Sequence, residues 1–186
     1  MTDDKFIFCL EAVNDTTNDT ITGVFKSLGQ LALATGINSI YKTCDTIEGL
    51  EDSLNTLRYD DHHFKNYEII YLVMPGEANN ICLNDYYYSL EEIAEVFEGK
   101  LKGKILHFAN AKVLDLDARE AQYFLDVTGA KAISGYGRAT DDASSLLLDN
   151  IFFTLYENDD DITEVLHEMQ KKHAVLCQLL DFRLYR

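Results

Sequence analysis

The segment Glu68-Ile-Ile-Tyr-Leu-Val-Met74 decides the fold of this chain, because six apolar or aromatic residues follow its single charge without interruption. Apolar runs of this length and composition are typical of a central parallel strand that is covered on both faces. Pro75 ends the strand, since proline has no amide proton to give to a sheet ladder. The segment therefore predicts a parallel sheet at the centre of an α/β domain.

Strand and helix patterns alternate along the rest of the chain. Strand-like runs lie at Phe6–Val13, Ile37–Cys44, Ile105–Ala109 and Lys131–Ser134, Ile81–Leu83 is a short segment without an assigned structure, and Phe182–Tyr185 suits a short edge strand. Helical periodicity covers residues 21–32, 47–57, 90–97, 121–125, 142–156 and 162–176. Capping boxes at Ser89 and Asp117 begin two of these helices. The alternation predicts a single three-layer α/β domain over residues 1–186, with a mainly parallel central sheet and helices on both faces.

The charge balance restricts the classes of partner. The chain has 32 acidic and 16 basic residues, which gives a net charge of −16. This charge opposes direct binding to nucleic acid or to an anionic membrane, and it favours a basic partner. The segment Met1–Phe8 lacks an apolar stretch long enough for a signal peptide, and no run of about 18 apolar residues occurs. We therefore expect a soluble, cytoplasmic protein.

The cysteines do not indicate a metal or redox site. They are Cys9, Cys44, Cys82 and Cys177. Their wide separation leaves no CxxC pair for zinc or dithiol chemistry. We expect free, buried thiols, and neither a cofactor nor a metal.

Several strings, together with the order of elements, resemble the caspase-like fold. These strings are Cys9-Leu-Glu11, Ile69–Gly76, Gly99–Ala111 and Thr128–Gly137. The family comprises cysteine peptidases such as caspases, gingipain-type enzymes and bacterial CHAT domains, and the similarity extends to short uncharacterised bacterial caspase-like proteins. The resemblance covers most of the chain and implies a caspase-like topology.

The resemblance also implies where catalytic groups would lie, and this chain lacks them. In the family, the catalytic His precedes a glycine after the third strand, and the catalytic Cys follows the fourth strand. Here Gly76 is retained, but Pro75 holds the place of the His and Ala111 that of the Cys. Neither side chain can transfer a proton or attack a carbonyl. The absence of both groups favours natural loss over an engineered substitution.

The sequence therefore predicts a catalytically inactive pseudopeptidase that binds an unknown protein or peptide. Its predicted binding rim consists of Met74, Gly76, Glu77, Asn110, Ala111 and Tyr136. One alternative is an enzyme or small-ligand binder that uses Glu11, Glu77, Asp85 and Asn110 for acid–base or metal chemistry. Another alternative is an acidic inhibitor that mimics DNA. The edge strand Phe182–Tyr185 would permit a homodimer.

Isolated histidines and cysteines offer further candidates. His107 lies inside the fourth main strand, where we expect a core histidine with a hydrogen-bond partner rather than a catalytic base. A rescued pair of Cys82 and His107 is the alternative. His62 and His63 follow two aspartates and can in principle bind a divalent metal, but a solvated polar loop is the simpler interpretation.

Three local motifs have both a functional and a structural interpretation. The turn Gly135-Tyr-Gly137 can hold a phosphate, although it lacks the full glycine spacing and we expect a structural turn. The run Asn158–Asp161 can hold calcium, although it lacks the pattern of an EF-hand loop. Tyr86, Tyr87 and Tyr88 can form a partner surface, and we expect at least one of them in the core.

Overall fold

The computed structural model describes residues 5–13, 23–138 and 142–186, without the side chains of residues 110–112 and 142. The polar stretch 14–19 and the predicted start of the first helix lie outside the described residues. Over the described ranges, the strands are β1 (Phe6–Ala12), β2 (Asn38–Cys44), β3 (Tyr67–Val73), β4 (Gly76–Glu77), β5 (Asn80–Leu83), β6 (Tyr86–Ser89), β7 (Ile105–Lys112), β8 (Ala132–Tyr136) and β9 (Phe182–Tyr185). The helices are α1 (Gly23–Thr35), α2 (Ile47–Asp60), α3 (Leu90–Val96), α4 (Ala118–Thr128), α5 (Asp142–Asn158), α6 (Ile162–Lys172) and α7 (Ala174–Leu180).

The main sheet has the strand order β2-β1-β3-β7-β8-β9 within the described residues. Its first five strands are parallel, and β9 pairs antiparallel with β8. The sheet grows from β1 to β2 on one side and from β1 to β3 on the other. The carboxyl ends of β1 and β3 therefore lie at a topological switch point of the sheet. Ligands of open α/β sheets bind beyond the carboxyl ends of the strands at such a point.

A small antiparallel ribbon of β4, β5 and β6 extends from the carboxyl end of β7. Glu77 in β4 pairs with Lys112 in β7, which joins the ribbon to the main sheet. Two-residue turns connect the ribbon strands, and both residues of each turn have positive φ: Ala78 and Asn79, then Asn84 and Asp85. Turns of this kind match the right-handed twist of a hairpin.

Helices cover both faces of the sheet, which confirms the predicted α/β layering. Ile70 and Leu72 of β3 pack toward the face that carries α2, α3 and α4. Ile69, Tyr71 and Val73 pack toward the face that carries α1, α5, α6 and α7. The alternation follows from the two-residue period of a strand and explains why the whole of β3 is apolar.

The structure corrects three predicted boundaries. The helix predicted over residues 162–176 is divided into α6 and α7, because the backbone at His173 leaves the helical region and its N–H closes α6 on Met169 O at 2.8 Å. Strand β7 continues beyond Ala109 to Lys112, where β4 pairs with it. Strand β8 includes Gly135 and Tyr136, which the sequence had placed in a turn.

None of the helices in the described part of the chain is both long and apolar enough to cross a bilayer. The edge strand predicted at the end of the chain is confirmed as β9.

Gly76 is required by close packing at the start of the ribbon. A Cβ atom at this position would overlap the backbone oxygen of Asn80 and lie 2.9 Å from Val113 Cγ2. The backbone oxygen is fixed by the hairpin, so it cannot move away as a flexible side chain could. The glycine is therefore needed for the turn from β3 into the ribbon for steric reasons alone, independently of any catalytic role nearby.

We expect Gly76→Ala to destabilise the protein by about 2 kcal/mol or more, because the added methyl group has no space. Gly29→Ala is the matched control, since a Cβ at Gly29 meets nothing within 4 Å and the residue lies inside α1. The control should stabilise the protein by about 0.5–1 kcal/mol through helix propensity. Urea unfolding measures both effects. Equal stabilities of the two variants would contradict this account of Gly76.

Candidate functional site

Pro75 and Ala111, the positions that the family resemblance assigns to a catalytic pair, lie on neighbouring segments at the carboxyl edge of the main sheet. β3 and β7 are direct parallel neighbours, and Glu77 pairs with Lys112, so the segments that contain Pro75 and Ala111 run side by side. Pro75 is exposed, and its carbonyl accepts a hydrogen bond from the Cys82 N–H at 2.7 Å. The side chains of Asn110 and Ala111 lie outside the described residues.

The predicted binding rim is only partly available on the surface. Met74 is 1% exposed and Tyr136 is 0% exposed, so both side chains belong to the core and cannot contact a partner. Glu77 is exposed and Gly76 is half-buried. The sequence placed Tyr136 at a strand end, whereas β8 continues through it and directs its ring toward α5. Among the rim residues whose side chains the structure describes, the accessible ones are therefore those of the ribbon.

His107 is the centre of a buried polar network between the sheet and α5. Its Nε2 lies 2.7 Å from Asp149 Oδ1, and its Nδ1 lies 2.8 Å from Ser134 Oγ. Tyr71 donates to Asp149 Oδ2 at 2.6 Å, and the Tyr136 hydroxyl donates to Asp149 Oδ1. All five side chains are buried. The hydrogen bonds within the network give each of them a partner inside the protein, as buried polar groups require.

Burial and the Asp149 carboxylate shape the titration of the neighbouring groups. Loss of water raises the pKa of Tyr71 and of Tyr136 well above the usual range, and the nearby Asp149 charge adds to the effect. Burial, together with the charges of Glu11 and Asp149, raises the pKa of the Cys9 thiol. All three groups remain protonated at neutral pH, and the two tyrosine hydroxyls donate hydrogen bonds to Asp149.

The network contains the residue types of a Ser-His-Asp triad, but its serine and histidine are not accessible to a substrate. In a serine hydrolase, the nucleophile faces the substrate and the carboxylate holds the other ring nitrogen. Here Ser134 and His107 are both 0% exposed, so no substrate can reach the hydroxyl. The prediction of a core histidine with a hydrogen-bond partner is confirmed. The alternative pair with Cys82 is wrong, because Ser134 and Asp149 occupy both ring nitrogens.

Sequence reasoning missed Asp149. The signal was present as one carboxylate within Leu146-Leu-Leu-Asp-Asn-Ile-Phe-Phe153, where most other residues are apolar. A lone charge on the apolar side of a helix needs a partner inside the fold. The sequence offers no means of identifying that partner as His107, which lies 42 residues away.

The remaining motifs have structural roles in the described residues. The Asp160 carboxylate binds Lys5 Nζ at 2.6 Å, and Asp161 caps α6 by accepting from Thr163 N. A side chain at Gly137 would overlap Asp181 and Arg183, so the glycine turn is packed rather than open to a phosphate. The His63 ring contacts the Phe6 ring edge-on at 6.0 Å between centroids.

The described residues contain no group of three or more His, Cys, Asp or Glu side chains arranged for a metal ion. Of the carboxylates proposed for acid–base work, Glu11 accepts a hydrogen bond from the Tyr41 hydroxyl at 2.6 Å. Glu77 and Asp85 are exposed on the ribbon.

A cleft of about 470 Å³ lies at the carboxyl edge, between the first turns of α3 and α4. It is lined by Asn79, Ser89, Leu90, Glu91, Leu116, Asp117, Arg119, Glu120, Tyr123 and Phe124. Asn79 closes one wall, because its side chain donates to Asp115 O at 3.1 Å and accepts from Asp115 N at 2.7 Å. The volume is within the range of about 300–1,000 Å³ that is typical of ligand pockets.

The ribbon beside this cleft carries exposed aromatic surface. Tyr86 and Tyr87 of β6 are 68% and 62% exposed. Tyr88 is half-buried and packs against the core, so none of the three tyrosines is a fully buried core residue of the kind that the sequence predicts. Strand β6 is the last strand of the ribbon in the described structure, so its outer edge carries backbone groups without a strand partner.

The chain belongs to a family of unknown function, DUF6642, whose model matches residues 4–186. No curated protein matches the chain. The family description assigns no activity, cofactor or partner, so the cleft and the ribbon are the features on which a function can be argued.

We expect Asp149→Asn to destabilise the protein by about 1–3 kcal/mol, because one of three buried donors loses its acceptor. Asp149→Leu should cost at least as much, since all three donors are then unsatisfied. Asp126→Asn is the control, as Asp126 is exposed on α4 and should change stability by less than about 0.5 kcal/mol. Chemical denaturation gives the values. A stability of Asp149→Leu that matches the control would show that the network does not support the fold.

Proposed function

We propose that this protein is a non-catalytic, caspase-like scaffold that binds a protein or peptide at the carboxyl edge of its sheet. The observation that carries the proposal is the cleft at this edge, which lies beside an outer strand with two exposed tyrosines. Apolar and aromatic surface next to unpaired strand edges is typical of peptide recognition. Reactive groups are not needed for this function.

The caspase-like part of the proposal is supported by the placement of the two substituted positions. Pro75 follows β3, and Ala111 lies near the carboxyl end of β7, which is the parallel neighbour of β3; this proximity supports a shared edge of the kind that the resemblance implies. The nearest described thiol along the ribbon is that of Cys82, and the imidazole of His107 is engaged by Asp149 and Ser134. A scaffold of this kind retains the shape of a peptide-binding edge without a thiol–imidazole pair.

The mode of binding follows from the geometry of β6. An extended peptide can pair with the outer edge of β6 and so become the next strand of the ribbon. Tyr86 and Tyr87 supply contact area at a low entropy cost, because tyrosine has few rotatable bonds. Backbone pairing would supply affinity, and the side chains that line the edge would supply specificity.

The other functions that the sequence suggested stay predictions. An enzyme based on Glu11, Glu77, Asp85 and Asn110 requires convergent carboxylates, and Glu11 is engaged by Tyr41. A DNA mimic requires a continuous stripe of carboxylates along the surface. A homodimer through β9 requires its outer edge to pair with a second copy.

The purified protein should not cleave a peptide library, because neither Pro75 nor Ala111 can supply a base or a nucleophile. Mass spectrometry of the incubated library is the measurement. Cys82→Ser serves as the control, since it replaces the thiol nearest along the ribbon to Pro75 with a hydroxyl of similar shape and slightly smaller volume. Saturable cleavage that disappears in Cys82→Ser would overturn the non-catalytic scaffold.

The double variant Tyr86→Ala/Tyr87→Ala should weaken binding of peptides selected from a displayed random library by about tenfold or more, because exposed aromatics dominate such interfaces. Tyr59→Ala is the matched control, since Tyr59 is an exposed tyrosine at the end of α2. Fluorescence polarisation with labelled selected peptides measures the dissociation constants. Failure to select any peptide, or equal loss in both variants, would contradict the proposal.

A further inference from the structure

The cleft between α3 and α4 has an apolar floor. Leu90 and Phe124 are buried beneath it, and Leu116 is half-buried in its wall. The Tyr123 ring is 41% exposed and forms part of the opening. A floor of this composition favours an apolar side chain of a ligand over a fully hydrated group.

The rim of the cleft is mainly acidic. Glu91, Asp117 and Glu120 line it, with Arg119 as the one described cation among the lining residues. Asp117 and Glu120 each use one carboxylate oxygen to accept backbone N–H groups at the start of α4. The ion pairs found among the described residues involve none of these four side chains. Their net negative charge is therefore not neutralised by these ion pairs, and it attracts cationic groups of a ligand in the cleft.

The cleft continues from the outer strand of the ribbon. Ser89 is the last residue of β6 and lines the cleft, and Leu90 begins α3 at the same point. A peptide that pairs with β6 is thus led directly to the cleft. This continuity favours an extended polypeptide over an isolated small molecule as the occupant.

We propose that the cleft binds an apolar side chain within a segment of a protein partner that is rich in Lys and Arg. The inference rests on the function proposed above and identifies the class of partner. The apolar residue contacts Leu90, Leu116 and Phe124, and the neighbouring cations face the acidic rim. A net charge of −16 on the chain steers such a segment toward the surface and repels acidic alternatives.

Glu91 is the residue that separates local recognition from general attraction. It is exposed, lines the cleft, and takes no part in the capping box, in which Ser89 and Glu92 bond each other. Glu95 lies one turn further along α3 and is also exposed, but it does not line the cleft. The same charge reversal at the two positions changes the net charge equally, so only local contact distinguishes them.

The test uses the full chain and an immobilised peptide library with a central Leu or Phe and randomised flanking residues. We expect bound peptides to be enriched in Lys and Arg. A labelled member of the enriched set should bind about fivefold or more weakly to Glu91→Lys, and with less than a twofold change to Glu95→Lys. Raising the salt concentration should reduce binding of the basic peptide. Thermal melts confirm that both variants are folded.

The outcomes separate this inference from the proposed function. If peptides bind without enrichment in Lys and Arg, or if Glu91→Lys and Glu95→Lys weaken binding equally, the basic-segment inference is overturned and the peptide-binding function stands. If no peptide of any composition binds, both are overturned. Leu116→Lys is a second variant that should abolish binding of the basic peptide, because it places a cation in the apolar wall.

Discussion

The arrangement of the sheet and α5 depends on the hydrogen bonds that the buried Asp149 carboxylate accepts. A buried charge is tolerated only when donors surround it, and here the donors come from Tyr71 of β3, His107 of β7 and Tyr136 of β8. Three neighbouring strands are therefore joined to one helix through a single side chain. The arrangement fixes the position at which α5 packs, which apolar contacts alone would leave less well defined.

This network also explains why the imidazole of His107 does not lie at the carboxyl edge of the sheet. The imidazole inside β7 is held on the α5 side of the sheet, away from the ribbon and the cleft. The edge instead carries backbone turns, exposed tyrosines and an acidic cleft, and the ribbon that bears the tyrosines begins at the close approach of Gly76 to Asn80. Rigid backbone next to apolar surface suits recognition, and the binding function proposed above rests on this combination.

Part of the fold and of the site could be predicted from sequence because the signals are local. The apolar run of β3 and the capping boxes at Ser89 and Asp117 predict elements that the structure contains. The break at His173 could not be predicted, because its neighbours continue the helical periodicity. Tyr136 was misplaced for a related reason: the adjacent glycines suggested a turn, and pairing with Lys112 and Phe182 keeps it in β8.

The sequence by itself determined the α/β class and the helices on both faces of the sheet, because these depend on residue type and on spacing along the chain. Only the tertiary structure decided the partner of His107, the burial of Met74 and Tyr136, and the cleft between α3 and α4. The physical reason is that these features join residues far apart in the chain, whose distances are set by how strands pair and helices pack.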